Sequence, residues 1–144
     1  MQLINEMNID FLSKSQNESF ARVVASLFVA QLDPTLDELA DIKTAVSEAV
    51  TNSIIHGYES AQDKIITMHC KLFSQGIEIK ISDTGVGIED IAMARKPLFT
   101  SKPNQERSGM GFTVMETFMD KVSIESKPTI GTTVTMYKKI RMDT

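Results

Sequence analysis

Hydrophobic and polar residues alternate over residues 6–11, with Met7, Ile9 and Phe11 on one side and Glu6, Asn8 and Asp10 on the other. A period of two predicts a half-buried strand. The period then lengthens. Ser15 and Glu18 have capping-box spacing, and Phe20, Val23, Val24, Leu27 and Phe28 share one face of the helix that would follow. That face is expected in the core, with Arg22 exposed on the opposite side. Asp33-Pro34 predicts a second helix, Asp33 as N-cap and Pro34 at the first helical position. Leu36, Leu39, Ile42, Val46, Val50 and Ser53 trace its buried stripe, and Gly57 supplies the stop. From residue 35 to residue 56 such a helix is about 33 Å long at roughly 1.5 Å per residue.

Alternation returns over residues 65–73, where Ile66, Met68, Cys70 and Leu72 share a side, and again at Ile77, Ile79 and Ile81. The intervening Ser74-Gln75-Gly76 makes the pair a β-hairpin. Residues 89–108 are charged, carry two prolines and have weak periodicity. They read as a long loop with at most a short helix, and long loops in compact domains are often lids. Residues 109–119 read as helix, with Phe112, Met115 and Phe118 at core spacing. Val122, Ile124 and Ser126 mark a strand, and a 128–131 turn leads into a last strand over 133–140. The order β-α-α-β-β-lid-α-β-β predicts an α+β two-layer sandwich in one domain spanning residues 1–144, with helices on one face of a largely antiparallel sheet.

Composition changes this picture little. The chain has 144 residues, 42% hydrophobic and 24% charged, ordinary for a globular domain. Its net charge of −4 gives no support to a nucleic-acid partner. Its apolar runs are too short for a bilayer, its start lacks the pattern of a signal peptide, and Cys70 stands alone, so a cytoplasmic location is the default expectation. Nine methionines and no tryptophan suggest a soft core, with an adaptable surface as the alternative.

The chemistry is concentrated elsewhere. Five of the seven glycines lie in Asp83-Thr84-Gly85-Val86-Gly87, Gly109-Met110-Gly111 and Gly131-Thr132-Thr133. Glycine lets the backbone approach a ligand closely, and free N–H groups at a helix start attract anions. Asp83 ends an apolar strand, where a carboxylate can accept a hydrogen bond from an exocyclic amine such as that of adenine. An ordinary Asp-Gly turn is the alternative. Gly109-Met110-Gly111 opens a helix, with Lys102, Arg107 and Ser108 just before it, so phosphates would meet positive charge there. A solvated surface loop is the alternative for those charges. The Thr132 hydroxyl could join the polar end of a base pocket, or serve only β-propensity. Glu48, Asn52 and His56 recur every four residues beside the buried stripe of the second helix. A carboxylate can take a proton from a hydroxyl, and an amide oxygen can ligate Mg²⁺ alongside phosphates. His56 could equally cap the helix, and the stripe could be a solvated flank. No Gly-Lys-Ser/Thr occurs, so this is not a Walker-type loop.

In this order the motifs resemble the ATP-binding superfamily of DNA gyrase, Hsp90, histidine kinases and MutL. Glu48-Ala49-Val50-Thr51-Asn52 is similar to its helix motif, and the Asp83 and Gly109 segments to its two glycine boxes. The runs Asn17 to Val23, Ser47 to Tyr58, Pro97 to Pro103 and Glu106 to Phe112 resemble more closely the anti-sigma serine kinases of sporulating bacteria. The resemblance covers essentially the whole chain. It implies binding of ATP and ADP with Mg²⁺, with Glu48 as base for a substrate serine and Asn52 as metal ligand. Asp83 and Thr132 would read adenine. Gly85, Gly87, Gly109 and Gly111 would shape the pocket, with His56, Thr100, Ser101, Lys102, Ser108 and Met110 along it and Arg107 at the γ-phosphate. It further implies a homodimer that inhibits a sporulation sigma factor, phosphorylates an anti-anti-sigma factor and uses Arg22 for protein contacts. A nucleotide-dependent binding module without useful kinase activity, and a stand-alone histidine-kinase-like catalytic domain, are the two rival expectations.

Overall fold

The computed structural model describes residues 2–88, 91–95 and 111–140. Five strands, β1 (Leu3–Leu12), β2 (Ile65–Phe73), β3 (Gly76–Asp83), β4 (Lys121–Lys127) and β5 (Gly131–Lys139), form one sheet in the order β1-β2-β3-β5-β4. Every neighbouring pair is antiparallel. Among the described residues four α-helices accompany it: α1 (Gln16–Val29), α2 (Leu36–Asn52), the short α3 (Ile91–Ala94) and α4 (Gly111–Phe118). The predicted α+β class and the order of the strands and long helices hold.

Alternation explains the two faces. Ile66, Met68, Cys70 and Leu72 of β2, Ile77, Ile79 and Ile81 of β3, and Val134 and Met136 of β5 are buried in the core with Ile42, Val46, Val50 and Met115 of the helices. Burial pushes the Cys70 thiol up to about 12, leaving it an apolar filler. The opposite positions carry polar side chains, including Glu6 bonded to His69 and Asp10 to Thr67 across β1 and β2. Among the described residues no helix is long and apolar enough to cross a membrane.

Three local expectations fail, each for a physical reason. Ser15 makes no side-chain cap, because its backbone is already helical (φ −59°, ψ −29°) where a capping residue is extended, and Glu18 pairs with Arg22 at 2.8 Å. Asp33 is not the cap of α2. It takes a left-handed conformation after a short 3₁₀ turn, and Thr35 caps the helix in a complete capping box with Glu38. The helix start is therefore Thr35-x-x-Glu38, and Leu36 lies outside the stripe at 84% exposure. Finally, α1 is rotated from the predicted face. Ala21, Ala25, Ser26 and Val29 face inward and Val24 and Phe28 pack partly buried against the core, whereas Phe20, Val23 and Leu27 are 53%, 46% and 68% exposed. Small residues let α1 lie close to α2, which leaves Phe20, Val23 and Leu27 on the outside.

Candidate nucleotide-binding site

The inward row Ile77, Ile79 and Ile81 of β3 ends at Asp83, so its carboxylate lands at the rim of the core and is 7% exposed. Burial raises its pKa above the usual carboxylate range, and hydrogen bonds from the Gly85 backbone, the Ser53 side chain and the Thr132 backbone oppose that rise. The Gly85 N–H donates to Asp83 Oδ1 at 2.9 Å. Three donors on a group with about four lone-pair sites leave capacity for one more.

The approach of α2 to this carboxylate depends on a widened turn. After Asn52 the helix passes into a π turn, Ser53–Gly57, in which the Tyr58 N–H donates to Ser53 O at 2.8 Å. Such turns often occur at functional sites. Gly57 does not stop a helix in the left-handed conformation, since it is absent from the positive-φ residues. It is glycine because a Cβ there would lie 2.8 Å from Asp83 Cγ and Oδ2. At Gly85 a Cβ would lie 1.9 Å from Gly57 O, which also accepts the Val86 N–H at 2.8 Å. The chain after Asp83 therefore lies directly on the end of α2.

Its other side rests on the β4–β5 turn. Gly87 has φ of 77°, and Thr129 N–H donates to Val86 O at 2.7 Å. Gly131, with φ of 139°, passes so close to Asp83 O that a Cβ would fall 2.1 Å away. Thr132 pairs with Asp83 across the sheet, and its hydroxyl shares a 2.8 Å hydrogen bond with Ser126 Oγ. Ser126 Oγ also accepts the Ile88 N–H at 2.7 Å. Asp83, Gly85, Gly87, Gly131 and Thr132 are thus brought into one tightly fitted cluster.

Glu48 and Asn52 are half-buried, one turn apart on the same flank of α2. His56 is half-buried too, but lies within the π turn, so it departs from the straight four-residue stripe. Gly111 begins α4 and is buried, and α4 packs on α2. Arg22 lies on the α2 side of α1: its Nη1 pairs with Glu18 and approaches Ser47 Oγ at 3.5 Å. The expected contributions of Thr100, Ser101, Lys102, Arg107, Ser108, Gly109 and Met110, and most of the 89–108 lid, lie outside the described residues.

Two members of the cluster were missed as site residues. Ser53 was assigned to the buried stripe, although a lone hydroxyl in that apolar row was the available signal. Tyr58 buries its ring, donates its hydroxyl proton to Ile65 O and accepts the Thr84 N–H at 2.8 Å. Nothing in its local pattern marks it.

Comparison with known proteins agrees with this fold. Residues 13–138 match the model of the histidine kinase-like ATPase domain. The chain is 58% identical over 137 residues to the anti-sigma F factor of Clostridium novyi, covering 95% of this chain and 96% of that protein. It is 56% identical to the anti-sigma F factor of Halalkalibacterium halodurans over 136 residues, covering 94% and 93%. A crystal structure of the RsbU and RsbW domains of a Mycobacterium tuberculosis protein shares the fold, with a TM-score of 0.66 at 19% identity. That match covers 95% of this chain and 32% of the larger one. With the ATPase-domain match spanning nearly all of it and relatives more than half identical along its length, this chain belongs to the anti-sigma F factor family.

Proposed function

We propose that this protein is an ATP-dependent serine protein kinase as well as a sigma-factor antagonist, acting in the cytoplasm of a sporulating cell. In this reading the whole chain is one ATP-binding unit with residues 89–108 as its lid. The observation that carries it is the placement of Glu48 and Asn52, half-buried on one flank of the helix whose last turn reaches Asp83.

Asp83 accepts the exocyclic amine of adenine on its remaining lone pair, and Thr132 lines the same end. The nucleotide then runs toward Gly111, where the N-terminus of α4 favours phosphate. Arg107 with Lys102 and Ser108 offsets phosphate charge. Glu48 takes the proton of a serine hydroxyl as its oxygen bonds to the γ-phosphorus and the bond to the leaving oxygen of ADP breaks. The half-buried Asn52 offers Mg²⁺ a hard oxygen donor beside the expected phosphates. One amide oxygen from Asn52 beside phosphates is how this ion is commonly held. When bound, it would neutralise charge on the transferring phosphate.

The partners in this proposal are a sporulation sigma factor, held in the ATP-bound state, and an anti-anti-sigma factor, which displaces it or is phosphorylated on serine. Arg22 contacts these partners. The exposed stripe Phe20, Val23 and Leu27 on α1 supports a homodimer, because exposed apolar surface of this kind marks interaction sites. The test is to incubate the purified protein with γ-labelled ATP, Mg²⁺ and the anti-anti-sigma factor. Acid-stable phosphoserine on that factor is expected. Acid-labile phosphohistidine would overturn the serine-kinase reading, and ATP and sigma binding without transfer would leave a binding module.

A further inference from the structure

The loop that follows Asp83 is held from two directions, and only one of them involves Asp83. The Asp83 carboxylate takes the Gly85 N–H. The preceding N–H, that of Thr84, goes to the phenolic oxygen of Tyr58 at 2.8 Å. A phenol has one proton, and a carbonyl oxygen can only accept. The proton of Tyr58 therefore goes to Ile65 O, which leaves its oxygen as acceptor for Thr84. The Thr84 hydroxyl lies 3.3 Å from the same oxygen.

The other end of Tyr58 is fixed as firmly. Its backbone N–H closes the π turn onto Ser53 O, and the Ser53 hydroxyl bonds Asp83. One turn therefore grips two successive residues, Asp83 through Ser53 and Thr84 through Tyr58. The segment after Tyr58 is anchored as well. Ala61 N–H returns to Tyr58 O at 3.0 Å across Glu59 and Ser60, which have φ of 52° and 67°. Buried Ser13 donates to Ala61 O at 2.6 Å and accepts the Lys64 N–H at 3.2 Å.

We propose that Tyr58 is a positioning residue for base recognition: its hydroxyl sets the peptide between Asp83 and Gly85 so that the Asp83 carboxylate is aimed at a purine 6-amino group. The proposal rests on the reading of Asp83 as the adenine contact. Without the hydroxyl the ring still fills its place, but the Thr84 N–H loses its acceptor and that peptide can rotate. The loss should then fall on recognition of the amine and not on nucleotide binding in general.

The experiment compares ATP with purine riboside triphosphate, which lacks the 6-amino group, on wild type, Y58F and the control Y137F. Tyr137 lies on β5, opposite Glu78 on the polar face of the sheet. Wild type and Y137F should prefer ATP. In Y58F that preference should fall by about fivefold to tenfold, the scale of one hydrogen bond, while the analogue binds within about twofold of wild type on the same scale. An unchanged preference, or equal loss for both nucleotides, would overturn the proposal. If wild type does not distinguish the two nucleotides, the adenine contact of Asp83 is itself wrong, and the proposal falls with it. Hydrogen exchange in nucleotide-free wild type tests the contact without any variant. A slow Thr84 amide supports it, and exchange as fast as an open loop contradicts it.

Discussion

Two regions of this molecule treat side-chain volume in opposite ways. Around Asp83 space is so short that glycine occurs wherever two backbones meet: a Cβ at Gly85 would fall 1.9 Å from Gly57 O and one at Gly131 2.1 Å from Asp83 O. Along the outer face of α1 large apolar groups are left in solvent, with Phe20 at 53% and Leu27 at 68% exposure. The first region cannot change shape without cost, as expected of a surface built to recognise a flat ring. The second is unfinished within one copy of the chain, as expected of a surface that is completed by another molecule.

Substitutions should separate the two regions. Gly85→Ala should have the largest structural effect, because no far end of a flexible side chain can yield: the obstacle is backbone. Overpacking of this kind costs about 1–3 kcal/mol, so thermal unfolding should move down by roughly 5 °C or more. Nucleotide binding should be lost with it. A normal melting curve would mean that the loop is not seated on Gly57.

Asp83→Asn should weaken ATP binding by about tenfold to a hundredfold, the scale of a hydrogen bond to a charged group, and still stabilise the nucleotide-free protein. The sign follows from burial. The native pKa of Asp83 is raised, so its contribution to stability is complete below the ordinary aspartate range and is lost as pH rises through the raised native value. At neutral pH the variant should melt higher than wild type. The gap should close as pH falls into the acid range. A wild type that is the more stable of the two at neutral pH would contradict this account of the site.

At the other region, if the proposed homodimer forms through α1, Leu27→Glu should leave only monomer in sedimentation while changing the stability of the monomer by only about 0.5 kcal/mol. A dimer that survives would remove α1 from the interface. Arg22→Ala should leave ATP affinity unchanged, and its part-exposed i,i+4 pair with Glu18 is worth roughly 0.5 kcal/mol. Partner affinity should fall, and equal affinity would reject Arg22 as a contact.

The same contrast governs what could be read in advance. Strands were legible because period two persists through the inward rows of β2 and β3, and Asp83 was legible as the polar end of such a row. The packing of α1 was not. An apolar stripe shows that a face is to be covered but not by what, and the small inward residues Ala21 and Ala25 carry little hydrophobic signal. Gly57 looked like a helix stop because local rules know only left-handed caps. Its real constraint is Asp83, 26 residues away in sequence. Ser53 and Tyr58 join the site only through the π turn, which tertiary contact imposes. The start of α2 is a different case, since Thr35-x-x-Glu38 was present and the nearby Asp33-Pro34 pair competed with it.

The central claim is that the flank of α2 beside this tightly fitted cluster performs phosphoryl transfer. Single-turnover transfer from labelled ATP to the anti-anti-sigma factor, wild type against Glu48→Gln, tests it most directly. With ATP affinity intact, the variant should transfer on the order of 10²–10⁴-fold more slowly, the range of a lost general base. Transfer at the wild-type rate would contradict the role of Glu48 and the account built on it.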